Sequence, residues 1–437
     1  MTTLPLTQHS SLDQWLEHLE TLHPSAIDLG LERIRQVYQR LNLNPKYLTI
    51  SVAGTNGKGS SCALLDAIVR SAGYRTGVYT SPHLIDFNER IRIQGEKASD
   101  KAIVEQFERV EKARGDVSLT YFEFATLAAL CLFDQSNLDV VILEAGLGGR
   151  LDAVNIVDAD AVLFTSIDLD HTDWLGDTRD DIAFEKAHLM RQGRPAICAD
   201  PVPPKSLRDY ADKVGADLWL FGRDYNYSGD RLQWAYGGRE QRRSSLAYPA
   251  LRGANQLLNA AGVLAVLESL HPRLAIPQQA VRIGLAQVEL AGRFQVLPGQ
   301  PVTVLDVAHN LHAVAALRQN LDGMGRRLFP HTHAVVGLYK DKAIDAILAE
   351  IASRIDYWYC ANTSGPRQLS GAELAQHVQQ YAKIDAELGP GVVRSFELPT
   401  EAFSAAQDRA AVNDRILVFG SFTVVGPILK HLGRASG

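Results

Sequence analysis

The residue pattern predicts an α/β protein of two domains. The first carries a mostly parallel sheet with helices on both faces, and the second is a smaller α/β domain. Three observations carry this. Short apolar runs alternate with helix-period stretches from Tyr47 onward. A glycine-rich turn stands between the first such run and the helix that follows it. The alternation pauses at Pro298-Gly299-Gln300-Pro301 and then restarts. A length of 437 residues suits two or three domains, at roughly 100–200 residues each.

In chain order, residues 12–41 have a helical period that breaks near His23-Pro24 and restarts at Leu29-Gly30-Leu31. Residues 47–53 read as a buried strand and 61–72 as its helix. Further strands are predicted at 76–79, 139–143 and 162–167, with helices at 122–133 and 182–190. This spacing predicts right-handed βαβ units. Residues 201–249 hold short mixed runs and the turn pair Gly237-Gly238, and are expected to form a small antiparallel excursion. A helix over 256–270 follows. The domains are drawn at 1–292 and 302–437, with 293–301 as linker. The second holds strands at 303–307, 334–337, 357–360 and 415–420, helices at 311–321 and 343–355, and a last helix.

Composition narrows the function. With 46% hydrophobic and 22% charged residues the chain is too apolar for disorder. A net charge of −6 argues against a nucleic-acid partner but allows a local basic pocket for a small anion. Cys62, Cys131, Cys198 and Cys360 lie far apart with no CxxC pair. They make neither a disulfide framework nor a thiolate metal site, and fit a reducing compartment. Residues 1–14 are polar, which predicts no secretory signal, and no apolar run reaches the ~18 residues a membrane span needs. The expectation is a soluble, cytoplasmic protein without a membrane partner.

The most informative stretch is Gly54-Thr55-Asn56-Gly57-Lys58-Gly59-Ser60, between a predicted strand and helix. Glycines let backbone N–H groups turn toward an anion, the lysine adds a point charge, and the helix start adds the positive end of its dipole. A strict Walker A would need Gly at 52 and Ser or Thr at 59, where this chain has Val52 and Gly59. A related, shorter P-loop-type turn is therefore expected.

Other residues are ambiguous by themselves. Glu144 ends a predicted buried strand, where ligands gather in open α/β sheets, and a carboxylate there suits Mg²⁺ or caps the next turn. Ser81, before Pro82, reads as a turn serine. His171 stands among Asp168, Asp170 and Asp173, as a metal site or a solvated helix start. Lys186 reads as a helix-surface lysine, Asn255 as an N-cap, and Arg293 and Asp306 as surface charges or strand-end caps.

Taken together, the loop resembles that of the Mur ligase superfamily, and of its folylpolyglutamate synthases in particular. The segments 80–84, 144–153, 170–176, 185–186 and 306–310 agree, as does 27–33. The nearest resemblance is to the bacterial bifunctional dihydrofolate and folylpolyglutamate synthases, to which Arg150 is also closer. The resemblance implies a Rossmann-like second domain. It implies that Gly54 to Ser60, including Lys58, bind ATP with Asn255, Arg293 on a phosphate, Asp306 on the ribose and His309 nearby. ATP would then lie across the interdomain cleft. Ser81, Glu144 and His171 would hold two Mg²⁺ ions, Lys186 would be carbamylated beside the second, and a monovalent cation is a further cofactor the family allows. Asp28, Leu29 and Gly30, Thr120, Tyr121, Phe122 and Glu123, and Leu151, Asp152 and Ala153 would contact the pterin.

The implied reaction is glutamate ligation. The carboxylate of 7,8-dihydropteroate or a reduced folate attacks the γ-phosphate of ATP, and the amine of L-glutamate then displaces phosphate from the acyl phosphate. Lys58, Glu144, His171 and Lys186 are the expected catalytic residues, in a monomer acting on small molecules. A cell-wall-type ligase would share the loop and both domains, but the folate-like N-terminal segment speaks against it. A simple P-loop kinase or phosphatase would need the strict motif. A non-catalytic nucleotide-binding module would tolerate loss of Glu144 and His171, yet both are present.

Overall fold

A computed structural model describes residues 10–230, 232–325, 328–382 and 392–433; most of the polar stretch 1–14 and the last residues of the second predicted domain lie outside them. The chain divides into two compact units, one of 1–83, 87–249 and 257–288, the other of 84–86, 250–256 and 289–437.

The first unit opens with α1 (Leu12–Thr21), whose Ser11 and Gln14 cap each other reciprocally, and α2 (Glu32–Leu41), which buries Ile34, Val37 and Leu41. Then come β1 (Leu48–Ala53), α3 (Lys58–Ser71), β2 (Thr76–Tyr79), β3 (Ile91–Ile93), β4 (Glu96–Lys97), α4 (Asp100–Arg114) and α5 (Tyr121–Gln135). β5 (Val140–Glu144), β6 (Ala161–Phe164), α6 (Thr172–Leu175), α7 (Arg179–Ala187), β7 (Pro195–Cys198), α8 (Lys205–Val214) and β8 (Asp217–Leu220) complete the main layer. β9 (Asn226–Gly229), β10 (Trp234–Gly237) and β11 (Arg242–Leu246) form a separate antiparallel sheet, followed by α9 (Gln256–Ser269) and α10 (Gln278–Gln287).

The main sheet runs β4-β3-β2-β5-β1-β6-β7-β8 and is parallel except for the edge strands β3 and β4. β1 is buried along its whole length, so its apolar run does not alternate. One face of the sheet presents Ala53, Tyr79, Leu143 and Phe164 to a core shared with α1, α2, α4, α5 and α7. The opposite face meets α9, where Gly262 brings the helix close to Leu163. α10 crosses α3 at Gly284, because a Cβ there would lie 2.6 Å from the Ile68 Cα. The chain leaves β1 toward β2 on one side and passes from β5 to β6 on the other. The loops after β1, β2, β5 and β6 therefore open together at the carboxyl edge, where ligands gather in such sheets.

One expectation changes in this unit. Residues 201–249 are antiparallel only from β9 to β11, since α8 and β8 extend the parallel sheet. β8 is a four-residue edge strand, so it leaves no strong pattern of its own. The hairpin of β3 and β4 is too short to read from sequence.

The second unit contains β12 (Gln295–Leu297), β13 (Val302–Asp306), α11 (Leu311–Gly323), β14 (Thr332–Val336), α12 (Ile344–Ile351) and β15 (Tyr357–Ala361). α13 (Gly371–Gln379), β16 (Val393–Phe396), α14 (Pro399–Arg409), β17 (Arg415–Phe419) and α15 (Phe422–His431) follow. Its sheet runs β12-β13-β17-β14-β15-β16, parallel except for β12. The stretch 293–301, expected as a linker, thus carries an edge strand: Val296 pairs with Val304, and residues 298–301 make the turn. The helix expected over 343–355 ends at Ile351 and closes in a 3₁₀ turn. All four cysteines are buried and free. Among the described residues, no helix is long and apolar enough to cross a membrane.

Candidate active site

The loop between β1 and α3 is shaped by missing side chains. Gly54 has φ +147°, and a Cβ there would fall 1.8 Å from the Thr165 Oγ1. Gly57 has φ +90° and abuts Asn259, whose Oδ1 would lie 2.7 Å from a Cβ at that position. The segment after β6 supports the loop. The Thr55 N–H donates to the Ser166 carbonyl (2.7 Å), the Thr55 hydroxyl donates to the Asp168 carbonyl (2.8 Å), and the Ser166 hydroxyl donates to the Asn56 carbonyl (3.0 Å). The Lys58 Nζ donates to the carbonyls of Gly54 and Thr55, both at 3.1 Å, which holds its charge over the loop. Gly59 and Ser60 continue into the first turn of α3. A preformed anion cradle results, with the helix dipole behind it.

Ser81 and Glu144 come together at the ends of β2 and β5: the Ser81 N–H donates to the Glu144 carboxylate at 3.3 Å, and that carboxylate is buried. The Ser81–Pro82 peptide is cis. His171 begins α6 in a left-handed conformation, φ +53°, on the loop following β6. Among the described residues no three His, Cys, Asp or Glu side chains form a ready metal cluster. A serine hydroxyl, one carboxylate and one imidazole still fit a hard dication that takes its remaining oxygens from phosphate and water.

Lys186 is not on the surface. It lies in the last turn of α7 with 4% of its area exposed. Burial first, then the Lys58 charge, push its pKa down to about 7 against the pull of Asp152, Asp170 and Glu185. Gly149 permits this placement, because a Cβ there would lie 2.8 Å from the Glu185 carbonyl and 2.9 Å from the Lys186 Cα. Arg150 locks the same contact, with its N–H on the Glu185 carbonyl (2.8 Å) and its guanidinium on the Glu185 carboxylate (2.9 Å).

Asp152 is buried and accepts N–H bonds from Leu147 (2.7 Å) and Val154 (3.0 Å), closing the loop after β5. Burial raises its pKa to about 6 despite those bonds. Leu151 precedes it, half-buried, and Ala153 starts a 3₁₀ turn. Thr120 and Glu123 form the capping box of α5, a bond pattern that explains both without a ligand. Asp28 accepts from Arg33 (2.8 Å) and His23 (3.0 Å), and Arg33 also reaches Glu123 (3.2 Å). The segments 28–30 and 120–123 are thereby joined through Arg33, which lies in the resembling segment 27–33, and His23, read from sequence only as a helix break, adds a second bond to Asp28. Leu29 and Gly30 are half-buried within that connection. Tyr121 packs edge-on to Phe87 (6.0 Å), and Phe122 lies 5.9 Å from Tyr79, over the space that Gly146 leaves.

In the second unit, Asp306 ends β13 and accepts N–H bonds from Phe294 (2.9 Å) and Ala308 (2.8 Å); burial raises its pKa to about 6. The Arg293 guanidinium sits 5.1 Å over the Phe422 ring. His309 donates from Nδ1 to the Val307 carbonyl at 2.7 Å. Asn255 stands just before α9, beside Ala254, whose N–H donates to the Asn320 side chain at 2.9 Å.

Two family models match the chain: the Mur ligase middle domain over residues 52–267, and the Mur ligase glutamate ligase domain over 292–422. The dihydrofolate synthase/folylpolyglutamate synthase of Escherichia coli (strain K12) is 43% identical over 433 residues, covering 98% of this chain and 97% of the relative. That of Haemophilus influenzae is 39% identical, covering 97% and 98%. The solved structure of E. coli FolC in complex with DHPP and ADP superposes with a TM-score of 0.91 at 42% identity, over 98% of this chain and 99% of the other. A bifunctional folylpolyglutamate synthase/dihydrofolate synthase with Mn, AMPPNP and L-glutamate bound gives 0.89 at 43%, over 98% and 100%.

Proposed function

The chain belongs to the Mur ligase family, among its dihydrofolate synthase/folylpolyglutamate synthases, and from that premise we propose the acids it extends and the residues that extend them. It is an ATP-dependent ligase that adds L-glutamate, with 7,8-dihydropteroate and reduced folates as the acceptors. The observation that carries this is likeness along almost the whole of both chains, with the phosphate loop, Glu144 and Lys186 inside the matched length. We assign the ATP-binding domain with the phosphate loop to 1–292 and a Rossmann-like domain, which adds Asp306 and His309 to the nucleotide site, to 302–437, in a cytoplasmic monomer.

Two anions must meet in the first step, as the acceptor carboxylate attacks the γ-phosphate and ADP leaves. Lys58, held over the cradle by two carbonyls, offsets charge there, and the loop N–H groups fix the phosphates in line. Ser81, Glu144 and His171 would hold two Mg²⁺ ions, which supply further charge neutralisation on the phosphates. In the second step the glutamate amine attacks the acyl carbon, loses a proton, and phosphate departs. Asn255, Arg293, Asp306 and His309 are assigned to the nucleotide, the arginine by a phosphate and the aspartate by the ribose.

Lys186 is assigned as a carbamate. Its depressed pKa leaves much of the amine neutral near pH 7.5, and the neutral amine adds CO₂ with loss of one proton. The product is an anion beside Lys58 where a cation would be repelled. Isotope-labelled bicarbonate and carbon NMR test this directly, and a spectrum without a carbamate signal in wild type would remove the assignment.

The reading as a whole is tested by ADP release with ATP, Mg²⁺ and L-glutamate. Parallel reactions contain 7,8-dihydropteroate, tetrahydrofolate, or neither. Turnover with each acid, and products one glutamate heavier by mass, is the expected result. Turnover with tetrahydrofolate alone would reduce the assignment to a folylpolyglutamate synthase.

A further inference from the structure

We propose that His23 is a positioning residue for the acceptor acid, tying the α1–α2 connection to the approach of α5; this rests on the placement of that acid beside residues 28–30 and 120–123. Between Leu22 and Leu31 the chain forms neither helix nor strand, so side chains must fix its path. The His23 ring is largely buried, with 11% of its side chain exposed, and uses its two nitrogens on two separate segments. Nε2 meets the Asp28 carboxylate at 3.0 Å, and Nδ1 meets the Ser118 hydroxyl at 2.5 Å.

The bonds then close a ring. Asp28 accepts from Arg33 at 2.8 Å, Arg33 donates to Glu123 at 3.2 Å, and Glu123 accepts the Thr120 N–H at 2.8 Å. Thr120 lies two residues from Ser118, where the ring began. Without His23, Asp28 would be held through Arg33 alone, and the other end of the connection only by the long bond from the Ser118 hydroxyl to the Leu22 carbonyl (3.5 Å). With it, Asp28 is gripped by two donors, and the backbone of 28–30 is fixed relative to 118–123. The role is one of spacing, and no contact between His23 and substrate is required.

Loss of one hydrogen bond to a carboxylate, with the ordering it provides, corresponds to about a tenfold change in affinity. The expected result for His23→Ala is a KM for 7,8-dihydropteroate raised about tenfold. Its kcat at saturation and its KM for ATP should stay near wild type. His23→Gln, which keeps a donor for Asp28, should recover most of the loss. Gly30→Phe reports on the acid's location separately, because it places a ring in the same wall. A raised KM in Gly30→Phe with an unchanged KM in His23→Ala would overturn the positioning role of His23 alone. An unchanged KM in both would overturn the location of the acid. A KM for ATP that rises as much as that for the acid, with a lowered Tm, would assign His23 to general stability and overturn the proposal.

Discussion

The phosphate loop and the α1–α2 connection are both irregular segments at the same unit's candidate site, yet they are held by different means. The phosphate loop is fixed by backbone: glycines without room for a Cβ, and main-chain groups bonded to 165–168. The connection is fixed by a ring of side chains running from His23 through Asp28 and Arg33 to Glu123. A backbone-held loop gains rigidity where rigidity aligns phosphates, and tolerates almost no change at its glycines. A side-chain-held wall can be retuned one residue at a time, which would suit the surface proposed above to meet the acid.

Substitutions can break that contrast. The largest effect is expected from Gly54→Ala, where the new Cβ collides with Thr165 and the φ is unfavourable. A loss of about 3–5 kcal/mol in stability and of measurable ADP binding is expected, read by melting and calorimetry. Lys58→Ala should leave the fold intact and lower kcat about 10²–10³-fold, in single-turnover ADP formation. If Gly54→Ala binds ADP normally, the loop is not backbone-limited.

Asp152 sits between the two cases, as a side chain that holds backbone. Its folded pKa, about 6, lies above the unfolded value, so the folded state favours the neutral carboxyl. Its contribution to stability is therefore fully present below about pH 4 and is lost as pH rises through about 6. Asp152→Asn removes that slope. Relative to wild type its stability should rise by up to about 3 kcal/mol between pH 4 and pH 7 in urea melts, on top of a pH-independent cost of any lost N–H bond. No relative gain would mean that Asp152 titrates normally.

Arg33→Ala should cost about 2 kcal/mol and raise the KM for the acid, because Asp28 and Glu123 lose their shared cation. Gly30→Ala is the smallest change. Its Cβ would meet only the flexible end of Glu32, at 3.3 Å, so a shift under about 0.5 kcal/mol is expected. A severe loss at Gly30 would erase the distinction between the two glycines.

How much is legible in the residues alone follows from how local each signal is. The strand, glycine turn, lysine and helix of residues 48–71 are contiguous, and their chemistry requires those residue types in that order. They can be read directly, as can the alternating elements of both units. The family resemblance groups Ser81, Glu144, His171 and Lys186 without any geometry. The burial of Lys186 emerges only in three dimensions, since a ten-residue window around it reads as a polar helix, while the loop at Gly149 packs directly on its backbone. Tertiary contact also turns 295–297 from linker into edge strand, because β12 has a partner only once β13 lies beside it. The ring through His23, Ser118, Arg33 and Glu123 spans about 100 residues of chain, and hydrogen bonds between such distant residues leave no periodicity to read.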